Sequence, residues 1–162
     1  MLRLSKLTDY AVVVLMRLGE AAPEAVQTAP GIARATGVPE PTVAKVLKAL
    51  AQASLVTATR GARGGYRLTR PFAAIAIAEI IAAIDGPIAL TACVDGAPGT
   101  CEVACQCAVR GRWNLVNDAI RDALGAITLA DMRAASVPEL LRIPLAELAN
   151  HPKPITGKHG HA

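Results

Sequence analysis

The sequence predicts a mainly α-helical fold with one small β-hairpin: a winged helix-turn-helix followed by a long C-terminal helix. Three observations predict it. Apolar residues return every three or four positions in several stretches, a tight glycine-containing turn joins a short helix to a longer amphipathic one, and two β-branched or aromatic segments flank a glycine-rich turn. The 162 residues, 52% hydrophobic and 19% charged, are enough for one compact domain plus an appendage and argue against a disordered chain.

The first helix is predicted from about Ser5 to Glu20, because Leu7, Tyr10, Ala11, Val14, Leu15 and Leu18 make one apolar face. Residues 21–27 form a linker in which Pro23 resists helix continuation. Thr28 is placed as N-cap of the second helix, with Pro30 in its first turn and Gly37 near its end. A third helix follows from Glu40 to about Ala53, burying Val43, Val46, Leu47 and Leu50 and turning Thr42, Lys45 and Lys48 outward. Leu55–Thr59 and Tyr66–Thr69 read as two strands, and Arg60-Gly-Ala-Arg-Gly-Gly65 as the turn between them. Ile77, Ile80, Ile81 and Ile84 predict a fourth helix that stops at Asp85-Gly86-Pro87. Residues 90–108 lack any period. From about Arg110 a stripe of Trp113, Val116, Ile120, Ala123, Leu124 and Ile127 predicts a long helix, with Trp113 as a core or interface anchor. Thr128-x-x-Asp131 and Ser136-x-x-Glu139 have the form of capping boxes that open two short helices.

Charge divides the chain. Residues 1–72 hold ten Lys/Arg against four Asp/Glu, a balance of +6, and the remainder holds seven against nine, a balance of −2. The basic half is the polyanion-facing one. With aromatics at 2%, stacking on single strands has little to work with, so duplex DNA is the expected partner. Thr42, Lys45 and Lys48 are then candidates for the major groove, and Arg60 and Arg63 for the backbone or minor groove. Arg67 and Arg70 have a simpler reading as charges that discourage strand-edge pairing. The chain has no phosphate-cradling loop, dinucleotide fingerprint, nucleophile elbow or His-Glu-x-x-His motif, so an enzyme is not expected. No apolar run approaches the roughly 20 residues of a membrane span, and the start lacks a secretory pattern. A cytoplasmic protein that does not engage the membrane is the expectation.

All four cysteines crowd into one segment, spaced Cys93-x7-Cys101-x3-Cys105-x1-Cys107. In a reducing compartment such a group holds a metal or does redox work more often than it forms disulfides. Paired Cys-x2-Cys knuckles are missing, which weighs against structural zinc. An iron–sulfur centre, a zinc site and a thiol-redox or cluster-carrier role all stay open on spacing alone.

Taken together, Leu4-Ser-Lys-Leu-Thr-Asp-Tyr-Ala11, Gly37-Val-Pro39, the wing Arg60–Tyr66, Ile84-Asp-Gly-Pro87, the cysteine segment and Ile127-Thr-Leu-Ala-Asp131 resemble the winged-helix iron–sulfur transcriptional regulators of bacteria (IscR/NsrR-like). That family includes the cluster-assembly regulators of the Isc and Suf systems and a nitric-oxide-sensing repressor. The likeness is nearest to the Suf-system regulators. It implies a homodimer paired through the long helix, a palindromic operator in double-stranded DNA, and a bound [2Fe-2S] or [4Fe-4S] cluster. Three cysteines serve as ligands in the family, and Cys93, Cys101 and Cys107 match them. Cys105 is then an extra thiol. The histidine that closes the Isc-type site is replaced here by Arg110, which has no lone pair to donate. The fourth ligand falls to Asp9 of the partner subunit or to Cys105; read without the resemblance, Asp9 is a charge favoured at a helix start. The implied function is a cluster-sensing repressor of Suf-type assembly genes, with nitric-oxide sensing as the alternative.

The expected organisation is a winged unit over 1–72, a connecting helix and turn over 73–91, and a cluster-binding segment over 92–109. A dimerisation helix with its following short helix occupies 110–135. The C-terminal extension over 136–162 carries His151, His159 and His161, is expected to be flexible from about residue 150, and has no role readable from sequence.

Overall fold

The computed structural model describes residues 3–22, 24–61, 63–94, 97, 108–109 and 111–134. Cys101, Cys105, Cys107, the Ser136-x-x-Glu139 box and the histidine tail lie outside the described residues.

Helix α1 (Lys6–Leu18) begins at Ser5, whose hydroxyl accepts the Thr8 N–H at 3.2 Å. It stops two residues earlier than its pattern suggests. Gly19 follows it and lies against the Phe72 ring so closely that any side chain there would collide. Helix α2 (Ala29–Thr36) is capped by Thr28, which accepts the Gly31 N–H at 3.2 Å, and ends at Gly37 in the left-handed region at φ 74°. Helix α3 (Glu40–Gln52) carries Pro41 in its first turn and buries Val43, Val46, Leu47 and Leu50. The chain leaves it through Ser54 at φ 58°, an uncommon conformation for a residue with a Cβ, held by a Leu55 N–H to Leu50 carbonyl bond of 2.9 Å.

Strands β1 (Val56–Thr59) and β2 (Gly65–Leu68) pair antiparallel, with Val56 opposite Leu68 and Thr59 opposite Gly65. Gln27 adds a rung that sequence reading did not supply. It exchanges two backbone hydrogen bonds with Tyr66, at 2.8 and 2.9 Å, while its side-chain Nε2 donates to the Arg17 carbonyl at 3.0 Å. Gly65 is needed there because a Cβ would come within 2.8 Å of the Gln27 carbonyl oxygen. The hairpin is thereby anchored to the end of α1.

A 3-10 turn at Phe72–Ala74 leads to α4 (Ile77–Asp85), whose Ile77, Ile80 and Ile81 are buried with α1 and α3. After α5 (Trp113–Ala126), the chain returns to the core. The Ile127 carbonyl accepts the Ile77 N–H and the Ile75 carbonyl accepts the Leu129 N–H, each at 2.9 Å, so α6 (Leu129–Ala134) packs on the 3-10 turn and α1 with Leu129 buried in the core. The capping box at its start forms: Thr128 N–H donates to the Asp131 carboxylate at 2.8 Å, and Asp131 N–H to the Thr128 hydroxyl at 3.2 Å.

The long helix forms, but its stripe is not buried within one chain. Trp113, Val116 and Ile127 remain 40–43% exposed, Ala123 is exposed, and Ile120 and Leu124 are half-buried. Among the described residues helix α5 packs chiefly on α4, and Trp113, Leu115 and Val116 along it stay exposed.

Candidate nucleic-acid interface and sulfur segment

Helices α2 and α3, joined through Gly37 and Pro39, make the helix-turn-helix. Burial of Val43, Val46, Leu47 and Leu50 fixes the rotation of α3, and this rotation exposes Lys45 and Lys48 while leaving Thr42 half-buried beside them. Lys45 and Lys48 sit three residues apart, on one face. Arg60 and Arg63 are exposed in the turn between β1 and β2. Among the described residues these four cations have no ion-pair partner, in contrast to Arg67 and Arg70. Arg67 meets Glu24 at 3.4 Å and Arg70 meets Glu79 at 2.5 Å, so both serve the fold's own surface. The Arg70 hydrogen bond and charge, with the Ala76 N–H, hold the Glu79 carboxyl below its usual range despite some burial.

Of the sulfur segment, Cys93 is described. Its thiol is half-buried and free, with Sγ 3.1 Å from Thr91 Oγ1, and the next residue, Val94, is buried. The approach to it is fixed at both sides. Asp85, at the end of α4, accepts the Ser5 N–H at 3.3 Å and the Thr8 hydroxyl at 2.8 Å, tying the start of α1 to the start of this segment. Burial raises the Asp85 pKa, but the hydrogen bonds from Ser5 and Thr8 outweigh it and leave the carboxyl below its ordinary range. Farther along, the Leu90 N–H donates to Asn117 Oδ1 at 3.1 Å.

Asp9 is exposed on α1, at the rim of a recess of about 300 Å³ walled by Val12, Ile77, Ile80 and Met132. Among the described residues no three His, Cys, Asp or Glu side chains gather as a metal site. The structure thus gathers the cationic candidates on the winged unit and sets Cys93 apart, between α4 and α5. The sequence assigned no contact to Gln27 or Asn117 and marked Asp85 only as part of a turn. Asn117 left a trace as a polar residue on the stripe of Trp113, Ile120 and Leu124.

A family model described as Rrf2, iron-dependent transcriptional regulator, matches residues 4–135. The chain belongs to the Rrf2 family. It is similar to the protein Rv1287 of Mycobacterium tuberculosis (strain ATCC 25618 / H37Rv), at 32% identity over 138 residues covering 85% of each chain. Among solved structures it resembles CymR, the global cysteine regulator of B. subtilis, at 26% identity and a TM-score of 0.63, covering 85% of this chain and all of that one. It also resembles IscR of T. potens, at 27% identity and a TM-score of 0.56, covering 94% and 93%. As an Rrf2 protein the chain is a DNA-binding transcriptional regulator of winged-helix fold and not an enzyme. None of its described helices is long and apolar enough to cross a membrane.

Proposed function

We propose that this Rrf2 regulator is a homodimeric, cytoplasmic repressor of iron–sulfur cluster assembly genes of the Suf type, reporting on cluster supply through an iron–sulfur cluster of its own. Cys93, Cys101 and Cys107 hold the cluster, with Asp9 of the partner subunit or Cys105 as fourth ligand. The observation that carries this reading is the setting of Cys93: a free thiol on the stretch between α4 and α5, whose entrance is bonded to the only fully buried side chain described in α5.

The residues present suit such a group. Soft thiolates are the donors iron–sulfur clusters require, and a buried amide beside the segment has an N–H2 without an acceptor, of the kind that bonds to cluster sulfur. When bound, the cluster would supply oxidation- and nitric-oxide-sensitive chemistry at iron. The chain's own residues do the rest. Asp85 ties α4 to the start of α1, Asn117 ties the cysteine stretch to α5, and α6 ties α5 back into the winged core through Leu129. A shift of the cysteine stretch therefore bears on how α5 lies against the winged unit.

With two chains joined along α5, that angle sets whether two α3 helices meet half-sites about 34 Å apart in a palindromic operator. Thr42, Lys45 and Lys48 read the major groove, and Arg60 and Arg63 grip phosphates or the minor groove. Coupling of about 1–3 kcal/mol would change operator occupancy roughly 5–150-fold. The exposure of Asp9 favours one second reading, a nitric-oxide-sensing repressor.

Anaerobic purification with visible spectra and iron and sulfide analysis tests the proposal. Brown protein with iron and acid-labile sulfide, whose operator affinity changes when the cluster is removed, is expected. Colourless, iron-poor protein that binds its operator unchanged would overturn it, and stoichiometric zinc without sulfide would replace it with a structural metal site.

A further inference from the structure

Helix α5 buries one described side chain completely, and that side chain is an amide. Asn117 is 0% exposed, although its position on the stripe would suit leucine. Its Oδ1 accepts the Leu90 N–H at 3.1 Å. This bond fixes the orientation of the amide, since the opposite one would set an N–H2 against an N–H. Nδ2 then faces away from Leu90, buried and without a hydrogen-bond partner among the described residues. Native proteins satisfy nearly all such donors, so an unsatisfied one calls for a partner such as a water, an ion or a bound group.

Leu90 stands three residues before Cys93. Oδ1 therefore pins the entrance of the cysteine stretch to α5, and Nδ2 carries two further N–H donors on the same amide. Sulfur bound to iron is an acceptor for such donors, and hydrogen bonds to it raise the reduction potential and steady the cluster.

We infer that Asn117 is a positioning residue with two tasks: Oδ1 pins Leu90 whether or not the protein is loaded, and Nδ2 donates to sulfur once the cysteine stretch holds iron. The inference rests on the cluster reading for its second task and not for its first. It makes the contact between α5 and the cysteine stretch responsive to loading, because one half of the same amide is used always and the other only in the loaded state.

Two substitutions separate the tasks. Asn117→Leu keeps the shape and removes both functions, whereas Asn117→Asp, at a pH where the carboxylate is ionised, keeps the acceptor and removes the donor. In cluster-free protein, hydrogen exchange at the Leu90 amide should accelerate at least about tenfold in Asn117→Leu and stay near wild type in Asn117→Asp; equal rates in wild type and Asn117→Leu would overturn the pin.

In protein loaded anaerobically to equal iron and sulfide, both variants should bleach severalfold faster in air, show altered visible circular dichroism and have a more negative midpoint potential. Wild-type values for all three would overturn the donor role. If wild-type protein takes up no iron or sulfide, the cluster reading and the donor role fall together, while the exchange rates still decide the pin.

Discussion

The winged unit and helix α5 belong to one chain but solve opposite problems. Around α1, α3 and α4, apolar side chains such as Val14, Leu15, Val46, Leu47, Leu50 and Ile80 are wholly buried. Along α5, Leu115 is 80% exposed, and Trp113 and Val116 are 40% and 43% exposed. The first region buries its apolar side chains within itself; the second presents apolar side chains that no described residue covers. A second copy of α5 is the occupant that the proposed homodimer supplies.

The contrast can be broken most directly in the core. Leu47→Ala should cost about 2–5 kcal/mol in chemical unfolding at any protein concentration. Leu115→Ala should act only through association: the wild-type Tm rises with chain concentration, and the variant's rises less. A wild-type Tm independent of concentration would show that α5 is not an interface.

Next in size is the outer surface of the winged unit. Arg63→Ala should weaken operator binding several-fold and lower the salt slope by about one, as fluorescence anisotropy across a salt series would show. Arg67→Ala, its partner Glu24 already engaging it, should leave the slope nearly unchanged.

Smaller still is the backbone at Ser54. With φ at 58°, Ser54→Gly should raise stability by up to about 1 kcal/mol, and an unchanged denaturation midpoint would show that the turn carries no strain.

The smallest effect lies within the first region, where Asp85 ties α4 to α1. Its folded pKa lies below the ordinary value, so the stabilisation it gives is present above pH of about 4 and is lost as pH falls through the folded value. Asp85→Asn should lower stability slightly at neutral pH and flatten the acid limb. Parallel acid limbs in variant and wild type would remove Asp85 from the tie between α1 and α4.

Local pattern carried much of the molecule. Ser5 and Thr28 cap the helices that their positions suggested, Gly37 turns left-handed where the second helix ends, and the Thr128–Asp131 box closes as its spacing implies. These features depend on residues within four positions of one another, so composition and spacing suffice to reveal them. The cationic candidates were equally legible: the buried stripe of α3 determines its outer face, and the glycine-rich turn determines where Arg60 and Arg63 stand.

Tertiary contacts settled what spacing could not. Gln27 joins the hairpin from thirty-nine positions before Tyr66, Asp85 reaches back to Ser5 and Thr8, and Asn117 accepts from Leu90. Each is a polar bond between segments distant in sequence, and no period announces such a bond. The stripe of α5 was visible in the sequence, but which of its residues meet the chain's own core and which are left bare depended on where α4 lies, because periodicity defines a face and only packing supplies what covers it.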